Sequence, residues 1–225
     1  VLFSRWRGVP FFYWMSYPMT QSLTRLASSI DWKRNILRWI FLTIRGRLGG
    51  YVLYKIILPQ CDHIFVQSDR MLDDVAATGV APSKMTAVPM CIDPERFAAP
   101  LPKIIIERRV VGYLGECSRV RGIDFIFEAL ALIKLEIPDI LLLVVGDAYE
   151  LSDREWLRNC VEQLGLHGNV SITGWLSSED ALQVFSGVEV ALALTPPDPL
   201  LEPATPTKLV EYLAMGRPVV GNNHP

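Results

Sequence analysis

Long apolar runs are missing from this 225-residue chain. No eighteen consecutive apolar residues occur, so no segment reads as a membrane-crossing helix. The N-terminal stretch has no secretory-leader pattern. Histidine is scarce, at three, and the four cysteines (Cys61, Cys91, Cys117, Cys160) are scattered. No C-x-x-C pair and no Cys/His spacing suits zinc, which excludes a structural zinc module and predicts buried free thiols in a reducing cytosol. No G-x-G-x-x-G follows a strand-like run, which argues against a dinucleotide-binding enzyme. Internal repeats and low-complexity tracts are absent. The glycine/aromatic signatures of RNA-binding modules are also missing, so nucleic acid is not an expected partner.

What is present is a chain half of whose residues are hydrophobic, enough for a sizeable core in one large or two small domains. It begins with Val1 and stops at Pro225, directly after a strand-like run, so a fragment of a longer enzyme is expected. The net charge of −2 hides an asymmetry. Residues 1–60 hold nine Lys or Arg and one acid, Asp31, whereas residues 61–225 hold thirteen cations and twenty-three acids. A basic front suits an anionic membrane surface.

Along the chain, Phe11 to Trp14 reads as a short strand entering a Ser16-Tyr17-Pro18 loop. Residues 21–58 read as helical, broken near Gly46 and Gly49-Gly50. Ile36, Leu37, Ile40, Phe41 and Ile44 form an apolar stripe there, among Lys33, Arg34, Arg38, Arg45 and Arg47. Such a helix, with Trp32 and Trp39, either lies on anionic lipid or packs on its domain with its charges solvated. Residues 61–68 and 84–89 read as strands flanking a helix, and His63 as a structural residue within the first. A Pro-rich linker, 98–108, follows.

From 110 to 220 strands and helices alternate, which predicts a parallel, doubly wound sheet. Val110–Gly115 opens it, and Glu116–Gly122 is the loop before a helix at 124–134. Ile140–Val145 is almost pure Leu, Val and Ile, as expected for a strand buried on both faces. Gly146-Asp147 ends it. A helix over 153–164, a strand over 169–173, a helix over 178–186 and a strand over 188–194 complete the run.

The most informative stretch is the last, EPATPTKLVEYLAMGRPVVGNNHP, from Glu202 to Pro225. A helix is expected to start at Pro206-Thr207 with Thr207 as N-cap, to bury Leu209, Val210, Leu213 and Ala214, and to stop at Gly216. Its N-terminus presents unpaired N–H groups and a positive dipole end, and Lys208 adds a full charge where a helix ordinarily prefers an acid. An anion would offset that arrangement, and Glu211, one turn on, could accept hydrogen bonds from vicinal hydroxyls such as those of a ribose. A capped surface helix with a Lys–Glu pair fits the same residues.

Thr205-Pro206-Thr207-Lys208-Leu209-Val210-Glu211-Tyr212-Leu213-Ala214-Met215-Gly216 and the Pro218-Val219-Val220 strand resemble the donor-site helix of GT-B glycosyltransferases. Within these they resemble the retaining family 4 branch carrying SPTKLxEYxAxGxPVV. Residues 61–97 are similar to the passage that closes the N-terminal domain of that family, with Cys91 where glycine is usual. The resemblance covers residues 60–225 well and 1–60 loosely. It implies an α/β GT-B fold, two Rossmann-like domains with parallel sheets, here truncated at both ends. Residues 1–97 would be the C-terminal part of the acceptor-side domain, 98–108 the linker, and 109–225 an incomplete donor-binding domain.

The implied activity is transfer of a sugar from a nucleotide-diphospho-sugar, a substrate and not a cofactor, to a hydroxyl, with retention. The acceptor would be a polysaccharide, a lipid-linked glycan or a small molecule. The implied donor-binding residues are Gly115, Arg119 and Arg121 in the first loop, Gly146 and Asp147 after the central strand, and Gly174, Trp175 and Leu176 at the base, with Trp175 either a wall of the site or a core residue. Thr207, Lys208, Leu209 and Glu211 complete the set. Glu116 stands where the family commonly has Arg, and Arg121 where it has Lys, so Arg119 is a candidate substitute. Two glutamates eight apart are usual in the family. With Glu211 as the second, the first falls on Pro203, and Glu202 is the nearest candidate for the catalytic role. No Asp-x-Asp motif is present, and no metal is expected: Arg119, Arg121, Lys208 and the helix start would stabilise the leaving group instead. The expected location is cytoplasmic and peripheral at the inner membrane surface, through residues 21–58. A non-catalytic GT-B relative that binds nucleotide-sugar and a GT-B nucleotide-sugar epimerase are the alternatives.

Overall fold

The computed structural model describes residues 1–97, 104, 106–204 and 206–223. These divide into two compact units: Val1–Met90 with 197–204, and Cys91–Pro196 with 206–223. Most of the expected linker (98–103 and 105) lies outside the described residues. The stretch 197–204, expected in the second domain, belongs instead to the first unit. Asp198, buried there, pairs with Arg25, and the Ser68 hydroxyl donates to the Pro203 carbonyl at 2.7 Å.

The first unit opens with a short helix, α1 (Leu2–Arg7), then β1 (Phe12–Met15), α2 (Met19–Ser29) and α3 (Ile36–Tyr51). A π-helical turn (Val52–Ile57) and a 3₁₀ turn (Leu58–Gln60) lead into β2 (His63–Val66), α4 (Asp69–Ala76) and β3 (Met85–Ala87). The three strands are parallel, in the order β1-β2-β3. Ile64, Val66, Met71 and Val75 anchor a core under that sheet. Ser68 caps α4, its hydroxyl accepting from the Met71 amide at 3.1 Å. His63 is only partly buried and bonds Thr86 across the strands at 2.8 Å, a structural role.

The expected break at Gly46 and Gly49-Gly50 is not there: α3 runs through all three glycines, and the chain breaks earlier, at residues 30–35. The reason is packing. A Cβ at Gly46 would lie 2.5 Å from the Thr24 hydroxyl and 2.9 Å from its backbone nitrogen, so glycine there lets α2 and α3 approach closely.

The second unit holds β4 (Val110–Leu114), α5 (Ile123–Glu136), β5 (Leu141–Val145), α6 (Leu151–Gln163), β6 (Val170–Ile172), α7 (Ser178–Phe185), β7 (Val190–Ala193), α8 (Thr207–Ala214) and β8 (Val219–Gly221). Its sheet is wholly parallel, in the order β6-β5-β4-β7-β8. The chain winds outward from β4 to β6, then returns to β7 on the other side of β4. That reversal makes β4/β7 the topological switch point, where open α/β sheets bind ligands. Leu142 and Val144 of β5 face a core with Phe127, Leu130 and Leu157, whereas Leu143 and Val145 face a second core with Phe185, Val188 and Tyr212. Burial on both faces accounts for the unbroken apolar composition of β5.

α8 buries a different face from the one expected. Tyr212 is fully buried and Met215 packs beside it, whereas Leu213 is 61% exposed. The Tyr212 ring stacks on Phe185 at 4.8 Å, and its hydroxyl accepts from the Leu114 amide at 3.0 Å. This amide lies at the end of β4, beyond the β4/β7 register, so the phenol satisfies a group the sheet leaves over. Lys208, Tyr212 and Met215 share the inward face at i, i+4 and i+7. Thr207 is the first helical residue, and Pro206 occupies the cap without a side-chain bond. Gly216 adopts the expected left-handed conformation after the helix.

Candidate functional site

Three strands end side by side in glycine. Gly115 follows β4, Gly146 follows β5, and Gly174 lies just past β6; all have positive φ. The Gly115 amide donates to the Val145 carbonyl at 2.8 Å, and Gly146 bridges Gly174. A Cβ at Gly146 would sit 2.1 Å from the Gly115 carbonyl oxygen, so no other residue fits there. The result is a strip of bare backbone along the C-terminal edge of the sheet.

Lys208 reaches this strip from the first turn of α8. Its ammonium donates to the Tyr113 hydroxyl at 3.1 Å and sits 4.5 Å from the centre of that ring. A Cβ at Gly115 would lie 2.4 Å from Nζ, so glycine at 115 makes room for the lysine. Tyr113 in turn donates to the Glu116 carbonyl at 3.0 Å, and burial raises its pKa, keeping the phenol neutral. Burial, then the neighbouring Arg121, lowers the Lys208 pKa to about 8. The half-buried Glu211 one turn on has its pKa raised by burial, which Arg96 and Lys208 oppose. No described residue forms an ion pair with Lys208.

The two arginines of the first loop separate. Arg121 stays beside Glu116, at 3.8 Å, and close enough to Lys208 to disfavour its charge. Arg119 turns to α6, pairing with Asp153 at 3.2 Å and lying over the Trp156 ring. Asp147 is likewise committed: it pairs with Arg154 at 3.2 Å and accepts from the Ala148 amide at 2.8 Å. Trp175 is no core residue, being 44% exposed, and its ring stacks on Tyr149 at 4.5 Å. Leu176 beside it is exposed, whereas Thr207 and Leu209 are half-buried. Glu202 lies in the other unit's stretch, in a turn whose amides at Leu201 and Glu202 bond the Asp198 carbonyl.

The structure therefore gathers Gly115, Arg121, Lys208 and Glu211 and directs Arg119 and Asp147 elsewhere. Sequence reasoning missed Tyr113 and Tyr149. The available signal for Tyr113 was a polar-tipped aromatic in an otherwise apolar strand, one residue short of its end. Chemically, the site offers a helix start, a partly desolvated lysine, a nearby arginine and glycine backbone that leaves room for a ligand, a set suited to a diphosphate. Among the described residues no group of three or more His, Cys, Asp or Glu could hold a metal.

A family model described as glycosyl transferases group 1 matches residues 108–225. No curated protein matches the chain. Among solved structures, Anabaena Alr3699/HepE in complex with UDP and glucose superposes with a TM-score of 0.64 at 17% identity, over 97% of this chain and 54% of that one. A glycosyltransferase from Rickettsia africae gives a TM-score of 0.61 at 14% identity, over 79% and 48%. The pneumococcal O-GlcNAc transferase GtfA with UDP and GlcNAc gives 0.58 at 18% identity, over 79% and 33%. The fold is thus GT-B, and the chain spans about half the length of the Anabaena protein.

Proposed function

Because the chain belongs to the glycosyl transferases group 1 family, we propose that its second unit binds a nucleotide-diphospho-sugar and that the protein transfers the sugar to a hydroxyl. The observation that carries this reading is Lys208, a partly desolvated cation that forms no ion pair with any described residue, at a helix start against glycine backbone. The diphosphate would lie between that helix start, Lys208 and Arg121, with Glu211 on the ribose and Trp175 near the base. Arg119 contributes little while Asp153 holds it. In the reaction the anomeric C–O bond breaks, the nucleoside diphosphate leaves with the electron pair, and the acceptor oxygen bonds to carbon and releases its proton. Lys208 and Arg121 stabilise the departing charge without a metal. We assign the protein to the retaining family 4 group on its Thr205–Gly216 motif. We assign it a glycan or lipid-linked glycan as acceptor, and a place at the cytoplasmic face of the membrane.

The Anabaena and pneumococcal structures are complexes with UDP, which makes UDP the first nucleotide to test. Titration calorimetry of the chain with UDP, GDP and ADP, with and without Mg²⁺, should show metal-independent binding of one of them. Lys208→Ala, Arg121→Ala and Glu211→Ala should each weaken it about tenfold or more, and Arg119→Ala should not. Failure of all three nucleotides to bind would end the donor-site reading. One observation favours a second reading. Pro203 stands where the family usually places its first glutamate, so a non-catalytic relative that binds nucleotide-sugar remains the alternative. Slow turnover of bound UDP-sugar that Glu202→Gln abolishes would reject it.

A further inference from the structure

Helix α3 has two faces, and the packed one is not the apolar one. Leu42 and Gly46 are buried, with Trp39 and Gly50 half-buried on the same side, where α3 meets α2. On the opposite side Leu37, Phe41, Ile44, Leu48 and Tyr51 follow one another at intervals of four, three, four and three residues. At 100° per residue they lie within about 40° of one line along the helix. All five face solvent, from 55% exposed at Ile44 to 81% at Leu37. Arg38 and Arg45 border the stripe on one side and Arg47 on the other; all three are exposed and none pairs with a described carboxylate. Arg45 lies over the Phe41 ring at 5.8 Å. The same unit exposes Leu2, Phe3 and Trp6 on α1, next to Arg5 and Arg7.

We infer that α3 is an interfacial helix that docks the first unit on an anionic phospholipid surface. The apolar stripe enters the boundary between headgroups and acyl chains, and Arg38, Arg45 and Arg47 meet the lipid phosphates. An apolar stripe with cationic margins is the pattern of a helix lying in the membrane plane. Charge selects this occupant. A second copy placed stripe to stripe would bring arginines against arginines, with residues 1–60 holding nine cations and only Asp31 to offset them. An anionic bilayer complements the same margins. None of the described helices is long and apolar enough to cross a membrane. The proposal does not depend on the donor site, and nucleotide binding is measured separately.

The test is flotation of the 225-residue chain with vesicles of phosphatidylcholine alone and of phosphatidylcholine with about one-third phosphatidylserine. Binding to the anionic vesicles only, weakening with salt, is expected. Arg38→Gln/Arg45→Gln/Arg47→Gln should reduce partitioning about a hundredfold. Phe41→Ser/Ile44→Ser should abolish it, with circular dichroism and nucleotide affinity unchanged because both side chains are already in water. Equal binding to neutral vesicles, or none to either, overturns the proposal. So does a concentration-dependent dimer that Phe41→Ser/Ile44→Ser dissociates, since the stripe then serves a second copy.

Discussion

Lys208 shows how one residue ties fold to chemistry. It sits on the face of α8 that carries Tyr212 and Met215, so the packing that buries the tyrosine also draws the lysine against Tyr113 and Gly115. Burial lowers its pKa to about 8. A bound diphosphate favours the charged form and lifts that value. Binding near pH 8 therefore takes up protons, and affinity falls as pH rises through 8, by at most about tenfold per pH unit. Calorimetry of UDP in two buffers of different ionisation enthalpy should detect the uptake at pH 8 and not at pH 6. Lys208→Arg keeps the charge and removes the titration, so its affinity should be flat over that range. A wild-type affinity independent of pH between about 7 and 9 would place Lys208 outside the site.

At the scale of elements, the glycines of α3 give a paired expectation. Gly49 has only the Thr20 methyl within reach of an added Cβ, at 3.8 Å, whereas Gly46 faces Thr24 backbone at 2.9 Å. Gly49→Ala should therefore gain up to about 1 kcal/mol from helix propensity. Gly46→Ala should lose stability despite the same gain, because α2 must move. Thermal melts of the two variants in opposite directions confirm the close approach; a shared direction refutes it. The same glycines mark where sequence reading stops. Gly46, Gly49 and Gly50 are helix breakers by propensity, and only the neighbouring helix makes them helix formers. The apolar run of β5, the alternation from 110 to 220 and the stop at Gly216 were legible, because backbone conformation and burial act over a few residues. The inward face of α8 was not, since Leu209, Val210 and Leu213 outnumber the single tyrosine that fills the space beside Phe185 and caps Leu114. Nor was the fate of Arg119, which Asp153 and Trp156 decide from thirty-odd residues along the chain.

Over the whole molecule, burial has one consequence that no single site reveals. Cys61, Cys117, Cys160, Tyr13, Tyr113 and Tyr212 all have pKa values raised chiefly by burial, the Cys117 thiol to about 12. Such groups stay protonated in the fold after their unfolded counterparts have ionised. Above pH 9 for the thiols and pH 10 for the phenols, the unfolded chain binds fewer protons, so stability falls as pH rises. Lys208 acts in the opposite sense: from about pH 8 to 10.5 the unfolded lysine keeps a proton that the folded one has lost, which favours the fold. One lysine against six acids yields a shallow stability maximum between pH 8 and 9, then a decline. Cys117 alone removes about 2 kcal/mol by about pH 10.5. Melting temperatures measured from pH 7 to 11 should trace this curve. Lys208→Met should shift the maximum to lower pH, and Cys117→Ala should soften the decline. A melting temperature unchanged up to pH 10.5 would mean that these thiols and phenols titrate alike in both states, and that the cores of both units are wetter than their packing indicates.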